Sequence, residues 1–414
     1  MKFKAASSTG AAFFCNLVPY LVLMSGNNLA PRFKTALLLL ILLSLGITLK
    51  NIYAPLSRVP DIPFPVTLFN NFLIFKNSFY HLLLSLPLFE TYGPVQYDVF
   101  KYTPTFALLF APFAVGNDVL GLFLWNSLNV ILPFLALTQL TTVHKKRWLW
   151  LFVFFAVESS TSMLNSQSNG LMLGLMLWTL VFYQREKWHS AVFCILLTGF
   201  IKIFGLVLFS VFLFQKRHWW KIALSTIIQF VVLFSLPLIF VSWDYLISQY
   251  LRWFILLKSD GGYFVKYSVL GWIQSWFHYL PNKSLTLLVA LSIQLILAAI
   301  IRNRKELMVY YGLTWGVWVV IFNHMAESAT FIIAVGSMVA FYLLIDKLSR
   351  VDLFLLFMVL IFTVFGPTDL YPKEVRFWIV ETAQMKVFPV ILVYLRMIQY
   401  LVKNSRVYNS IDIS

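Results

Sequence analysis

At 414 residues, 60% apolar and only 12% charged, with a mean hydropathy of +0.81, the chain lies outside the soluble globular classes. Its net charge of +16 would suit a nucleic-acid-binding protein, but the lysines and arginines sit in short clusters between apolar runs, the pattern of membrane topology and not of a basic groove. Forty-one Phe, 14 Trp and 19 Tyr supply the amphipathic rings that bilayer interfaces favour, while Cys15 and Cys194, both in apolar stretches, point to neither a disulfide framework nor a metal site.

A bilayer core of about 30 Å takes about 20 apolar residues per spanning helix. The first run, 11–25, is short and broken by Pro19; with the rest of 1–32 it reads as a signal-like or interfacial segment, or as the product of an upstream start codon. Candidate membrane segments follow at 33–50, 103–116 with 118–142, 148–164, 168–184, 189–214, 221–243, 284–301, 306–323, 328–346, 352–366 and 387–402. Basic clusters occupy the tight connections: Arg32/Lys34, Lys145/Lys146/Arg147, Arg185/Lys187, Lys216/Arg217/Lys221, Arg302/Arg304/Lys305, Lys347/Arg350 and Lys403/Arg406. Placing all of them in the cytoplasm closes the topology on two conditions. The 189–214 run must enter and leave on one side, as two short helices with an apex near Lys202, and 103–142 must cross once, with 103–116 re-entrant or juxtamembrane.

The long connections 51–102, 244–283 and 367–386 then lie outside, with the short turns at 165–168 and 324–327, and both termini are cytoplasmic, including the tail 407–414. Residues 66–86 read as an amphipathic helix along the membrane surface, ended by Pro87, and 245–257 as another, with Arg252 among aromatics. With no internal repeat, 33–406 forms one transmembrane domain.

A family resemblance enters at 70–116, where Tyr92, Tyr102-Thr103-Pro104 and Pro112 match the later part of the first outer loop of glycosyltransferase family 87. Further matches keep their order. Asn165-Ser166-Gln167-Ser168-Asn169-Gly170 resembles the family's Gly-Gln-x-Asn segment, with Ser166 in place of the glycine, and Gly199-Phe200-Ile201-Lys202 resembles its short-helix apex lysine. Ser268-Val269-Leu270-Gly271, Glu327-Ser328-Ala329-Thr330 and Pro367-Thr368-Asp369-Leu370-Tyr371-Pro372 are similar to motifs of the branch found in Bacteroidetes-type bacteria. The resemblance covers about residues 50–400. It implies an all-α, polytopic GT-C fold with about 10–13 transmembrane, short paired or re-entrant helices. It also implies an inner-membrane enzyme that moves a hexose, mannose being the first expectation from the resemblance, from a polyprenyl-phosphate donor to an envelope glycan or glycolipid, inverting and without cofactor or metal. One departure stands out: the family's loop acid is replaced by Asn70 or Asn71, and an amide takes no proton at neutral pH.

Displacing a lipid phosphate from an anomeric carbon needs a carboxylate to deprotonate the acceptor and cations or amides to hold the phosphate. Asp98, among Tyr97, Phe100 and Tyr102, is the leading base, with Asp61 and Glu90 as rivals in the same loop; a helix cap or a pair with Lys101 is the bland alternative for Asp98. Lys202, costly at membrane depth, marks a phosphate grip, a snorkelling side chain or a partner for Glu158. Arg252 is a weaker phosphate candidate, and Asn71 and Tyr102 are further contacts for the donor. Asn165, Gln167 and Asn169 suit sugar hydroxyls or helix caps, and of these Gln167 and Asn169 are the expected donor contacts. His324 and Glu327 share a helical face if their turn is helical, and Asp369 is a site carboxylate or an Asx-turn residue. No HExxH, DxD, Walker or GxGxxG pattern occurs, in keeping with a lipid-linked donor. A transporter, for which Lys202 and Glu158 are the only hints, and a non-catalytic relative lacking its base are the competing classes.

Overall fold

The computed structural model describes residues 31–58, 62–93, 96–140, 145–215, 218–259 and 265–411, so the run 11–25, Cys15 and the rival base Asp61 lie outside the described residues. Those residues form an all-helical protein, in which the pairing of Ser57 with Val66 is an isolated bridge.

Hydrophobicity all round a helix calls for an apolar environment all round it. Asn169–Gln184, Met308–Ile321 and Phe331–Leu344 meet that condition inside the protein, each buried along nearly its whole length. Around them stand the four helices long and apolar enough to cross a membrane: Phe33–Tyr53, Asp118–Leu140, Trp219–Ile239 and Lys283–Ile300. Leu38, Leu42, Ile227, Val231, Leu288 and Ile296 on three of these helices are all more than half exposed. Such a belt is a liability in water and the correct surface in hydrocarbon. The protein is a polytopic membrane protein.

Three local features position the polar residues. Asn169–Gln184 approaches Asp118–Leu140 so closely that a Cβ on Gly170 would lie 2.1 Å from the Asn129 carbonyl oxygen, and Asn129 Oδ1 accepts from Leu171 N at 2.8 Å. Only a glycine permits that approach. The 189–214 run breaks at its lysine: Trp188–Ile201 is α-helical, Lys202 is extended (φ −139°, ψ 133°), and Ile203–Phe212 returns as a 3-10 helix packed back on the first arm. Gly205 faces Thr198 at this crossing, where a Cβ would meet the threonine hydroxyl at 2.0 Å. The 103–116 stretch folds into two short buried helices, Pro104–Leu109 and Ala111–Ala114, capped at the start by the Thr103 hydroxyl.

The helix in 66–86 runs Asn70–Leu83 and packs its apolar side on the protein: Phe75 lies edge-on against Tyr102, Phe106, Phe110 and Trp125 with ring centroids 4.8 to 5.7 Å apart. Edge-to-face aromatic packing adds quadrupole attraction to burial at this face. The helix ends at Leu83, before Pro87, with Ser85 in the left-handed region (φ 55°). Trp243–Ser259 matches the other expected amphipathic helix, with Trp243, Leu251, Phe254 and Ile255 exposed.

Candidate active site

The helix break at Lys202 frees a side chain that no helix face constrains, and its ammonium points back toward the Asn165–Gly170 turn. Lys202 Nζ donates to Asn169 Oδ1 at 2.8 Å and lies 5.6 Å from the centre of the Tyr102 ring. Asn169, fully buried, donates from Nδ2 to Gln167 Oε1 at 2.5 Å and to the Ala329 carbonyl at 3.0 Å. Gln167 in turn donates to Glu327 Oε2. A continuous hydrogen-bonded line therefore runs from an ammonium through two amides to a carboxylate. Its polarity is consistent throughout, since each amide turns an N–H toward the carboxylate and its C=O toward the ammonium.

This line floors a cavity of about 390 Å³. Asn71, Asp98, Tyr102, Gln167, Lys202, His324 and Glu327 all line it, so seven of the residues singled out from sequence meet at one place, with Asn169 just beneath. Asp98 is exposed and its Oδ1 accepts from Val99 N at 2.7 Å. Tyr102 OH lies 3.1 Å from Ser168 Oγ, and Asn71 Nδ2 donates to the Asn165 carbonyl at 2.9 Å. His324 and Glu327 sit in an irregular turn; Glu327 caps the short helix Ser328–Thr330 through a reciprocal pair of bonds with Thr330. Glu327 thus serves as a cap and a cavity carboxylate together.

Three other candidates lie elsewhere. Glu90 and Arg252 pair with each other at 3.1 Å, each about half exposed (55% and 51%), away from the cavity lining. Asp369 pairs with Arg376 in a neighbouring cavity. The suggested Lys202–Glu158 pair does not form: Glu158 is bound to Lys386 instead, both side chains fully buried.

The cavity also contains residues that sequence reading passed over. Lys283 lines it with Nζ 2.8 Å from His324 Nε2, and Trp253 and Asn323 line it too; Lys101, weighed above only as a partner for Asp98, stands in the same wall, its carbonyl accepting from Trp253 Nε1 at 3.3 Å. Lys283 had a signal: it stands immediately before a span and apart from the basic clusters that occupy the other end of the helices. Lys101, Lys202 and Lys283 against Asp98 and Glu327 leave the cavity with an excess of positive charge, the electrostatics of an anion site. Among the described residues no three His, Cys, Asp or Glu side chains are grouped to hold a metal ion.

An all-helical membrane fold with a polar cavity among short broken helices fits a membrane enzyme. The chain belongs to glycosyltransferase family 87, whose family model matches residues 100–345, and it is a membrane glycosyltransferase. That match includes Tyr102, Gln167, Asn169, Lys202, Lys283, His324 and Glu327 and begins two residues after Asp98. No curated protein matches the chain.

Proposed function

We propose that the protein transfers a hexose, mannose by family precedent, from a polyprenyl-phosphate sugar to an envelope glycan or glycolipid. In this reading the cavity opens on the extracytoplasmic face of a bacterial inner membrane, and the basic clusters and both termini lie in the cytoplasm. The observation that carries it is the line Lys202–Asn169–Gln167–Glu327, which joins a cation fit for a phosphate to amides and a carboxylate fit for sugar hydroxyls. Lys202, with Lys283 beside His324, neutralises the phosphate; Tyr102 and Asn71 flank the sugar.

The chemical step is a single displacement. The acceptor oxygen forms a bond to the anomeric carbon as the bond from that carbon to the phosphate oxygen breaks. The acceptor proton passes to a carboxylate and polyprenyl phosphate departs as an anion that needs no proton. Attack opposite the leaving group inverts the anomeric centre, and the lysines supply the positive charge that a metal would otherwise bring. Asp98 serves as the base at the position left open by the amides Asn70 and Asn71. Glu327 has one observation in its favour for the same role: it precedes Ser328, which lines the neighbouring cavity, so it stands at the partition between two spaces.

The test is transfer from a set of radiolabelled polyprenyl-phosphate hexoses by the protein in nanodiscs, with wild type, Asp98→Asn and Glu327→Gln compared. Failure of wild type to consume any such donor would remove this function and leave the non-catalytic reading.

A further inference from the structure

A second cavity, of about 570 Å³, lies on the far side of the Glu327–Ser328 turn. The two spaces share a thin wall. Glu327 lines one and Ser328 the other; Asn71 lines one and bonds to the backbone of Asn165, which lines the other. The Glu327 charge is felt across this wall: the Tyr267 phenol is pushed up by burial, by its 2.5 Å hydrogen bond to Glu381 and by the charges of Glu381 and Glu327.

The chemistry of the two spaces differs. The first holds three lysines against two carboxylates. The second holds Lys373 and Arg376 against Asp369 and Glu381 and is balanced. Arg376 bonds to Asp369 and Tyr267 to Glu381, so neither pair leaves a strong net field for an anion. The two carboxylates and the guanidinium, each with one partner, still carry spare acceptors and donors for hydroxyl groups. Phe377, 62% exposed, supplies aromatic surface for the C–H face of a sugar ring, with the buried Tyr267 behind it in the lining. Val375 and Trp378, on the same short helical stretch, expose further apolar surface beside the cavity. A neutral polyhydroxylated head with an apolar tail fits this combination.

We propose that the second cavity binds the sugar head of a lipid-borne acceptor and holds its hydroxyl at the Glu327–Ser328 wall, beside the cavity that takes the donor. This rests on the glycosyl-transfer reading, but its test does not depend on turnover. Saturation-transfer NMR on the protein in nanodiscs, against empty nanodiscs, reads binding of octyl hexosides (mannoside, glucoside and galactoside) and of their methyl counterparts. Ring-proton signals are expected from at least one octyl hexoside, weakened about ten-fold in Phe377→Ala and Glu381→Gln and retained in Lys202→Met, the methyl forms binding more weakly. Phe377 is exposed, so its removal leaves the fold intact. Absence of signal from every octyl hexoside, or equal signal in wild type and both second-cavity variants, overturns the proposal; equal binding of methyl and octyl forms removes its lipid-borne part. Donor consumption by the same preparations is scored separately, so a protein that binds hexosides but consumes no donor refutes the transfer reading alone.

Discussion

Lys386 Nζ lies 3.1 Å from Glu158 Oε1 with both side chains at 0% exposure, and the same ammonium donates to Ser328 Oγ at 3.0 Å and faces the Phe331 ring at 4.9 Å. A buried pair adds little net stability over an apolar one, but breaking it strands a charge. This pair grips the turn that separates the two cavities. Lys386→Met or Glu158→Leu alone is expected to lower stability by about 3–5 kcal/mol, and the double variant Glu158→Leu/Lys386→Met to recover most of it. Thermal unfolding in one detergent checks this; an additive double variant would show that the two side chains act separately.

Lys202 is expected to act on the donor. Lys202→Met should raise the donor KM about ten-fold or more, the loss of one charge-assisted hydrogen bond to an anion, and Lys202→Arg should restore part of it. Steady-state kinetics at varied donor and fixed acceptor reads the effect. A Met variant with unchanged donor KM would take the phosphate role from this residue.

The two cavity carboxylates should separate by kinetics. Removing the general base costs about 10²–10⁴ in kcat. Asp98→Asn is expected to fall in that range with little change in either KM. Glu327→Gln, which keeps the cap geometry but weakens the bond to Gln167, should act mainly on the donor KM. Reversal of these two profiles would assign the base to Glu327.

Ser166 occupies the left-handed region (φ 52°), fully buried, with its hydroxyl lacking a hydrogen-bond partner. That is the position where the family resemblance has glycine. Ser166→Gly should stabilise the fold by about 1 kcal/mol, relieving backbone strain and a buried hydroxyl against a more flexible unfolded chain. A lower melting temperature would mean that the side chain packs usefully.

His81 lies against Tyr92, ring centres 3.9 Å apart and planes tilted by 34°, with Nδ1 buried and without a partner, and burial lowers its pKa below the ordinary 6.5. The fold therefore favours neutral imidazole. Above pH 6.5 both folded and unfolded chains are neutral there and nothing is lost; as pH falls below 6.5 the unfolded chain takes the proton first and stability drops. His81→Gln should flatten the melting-temperature slope on the acid side, measured from pH 7.5 to 5.

Much of the site was legible because each of its residues breaks a local rule. Lys202 interrupts an apolar run, Asn165 to Asn169 crowd amides into a short turn, and His324 and Glu327 sit between two apolar helices. Such violations show in one dimension. Pairings do not: Glu158 meets a lysine 228 positions away and not Lys202, and Glu90 and Arg252 satisfy each other across 162 positions outside the cavity.

The amino-acid sequence by itself determined that this is an all-helical membrane protein, where its chain breaks at Lys202, and which polar residues are out of place in hydrocarbon. Those properties depend on runs of side chains about one bilayer thickness long. Only the tertiary structure decided that seven of the candidates share one cavity, that Lys283 joins them, and that Asp369 belongs to a second space beside it. Contacts of that kind arise from how helices distant in the chain pack, as Gly170 packs on Asn129, and no local pattern encodes the outcome.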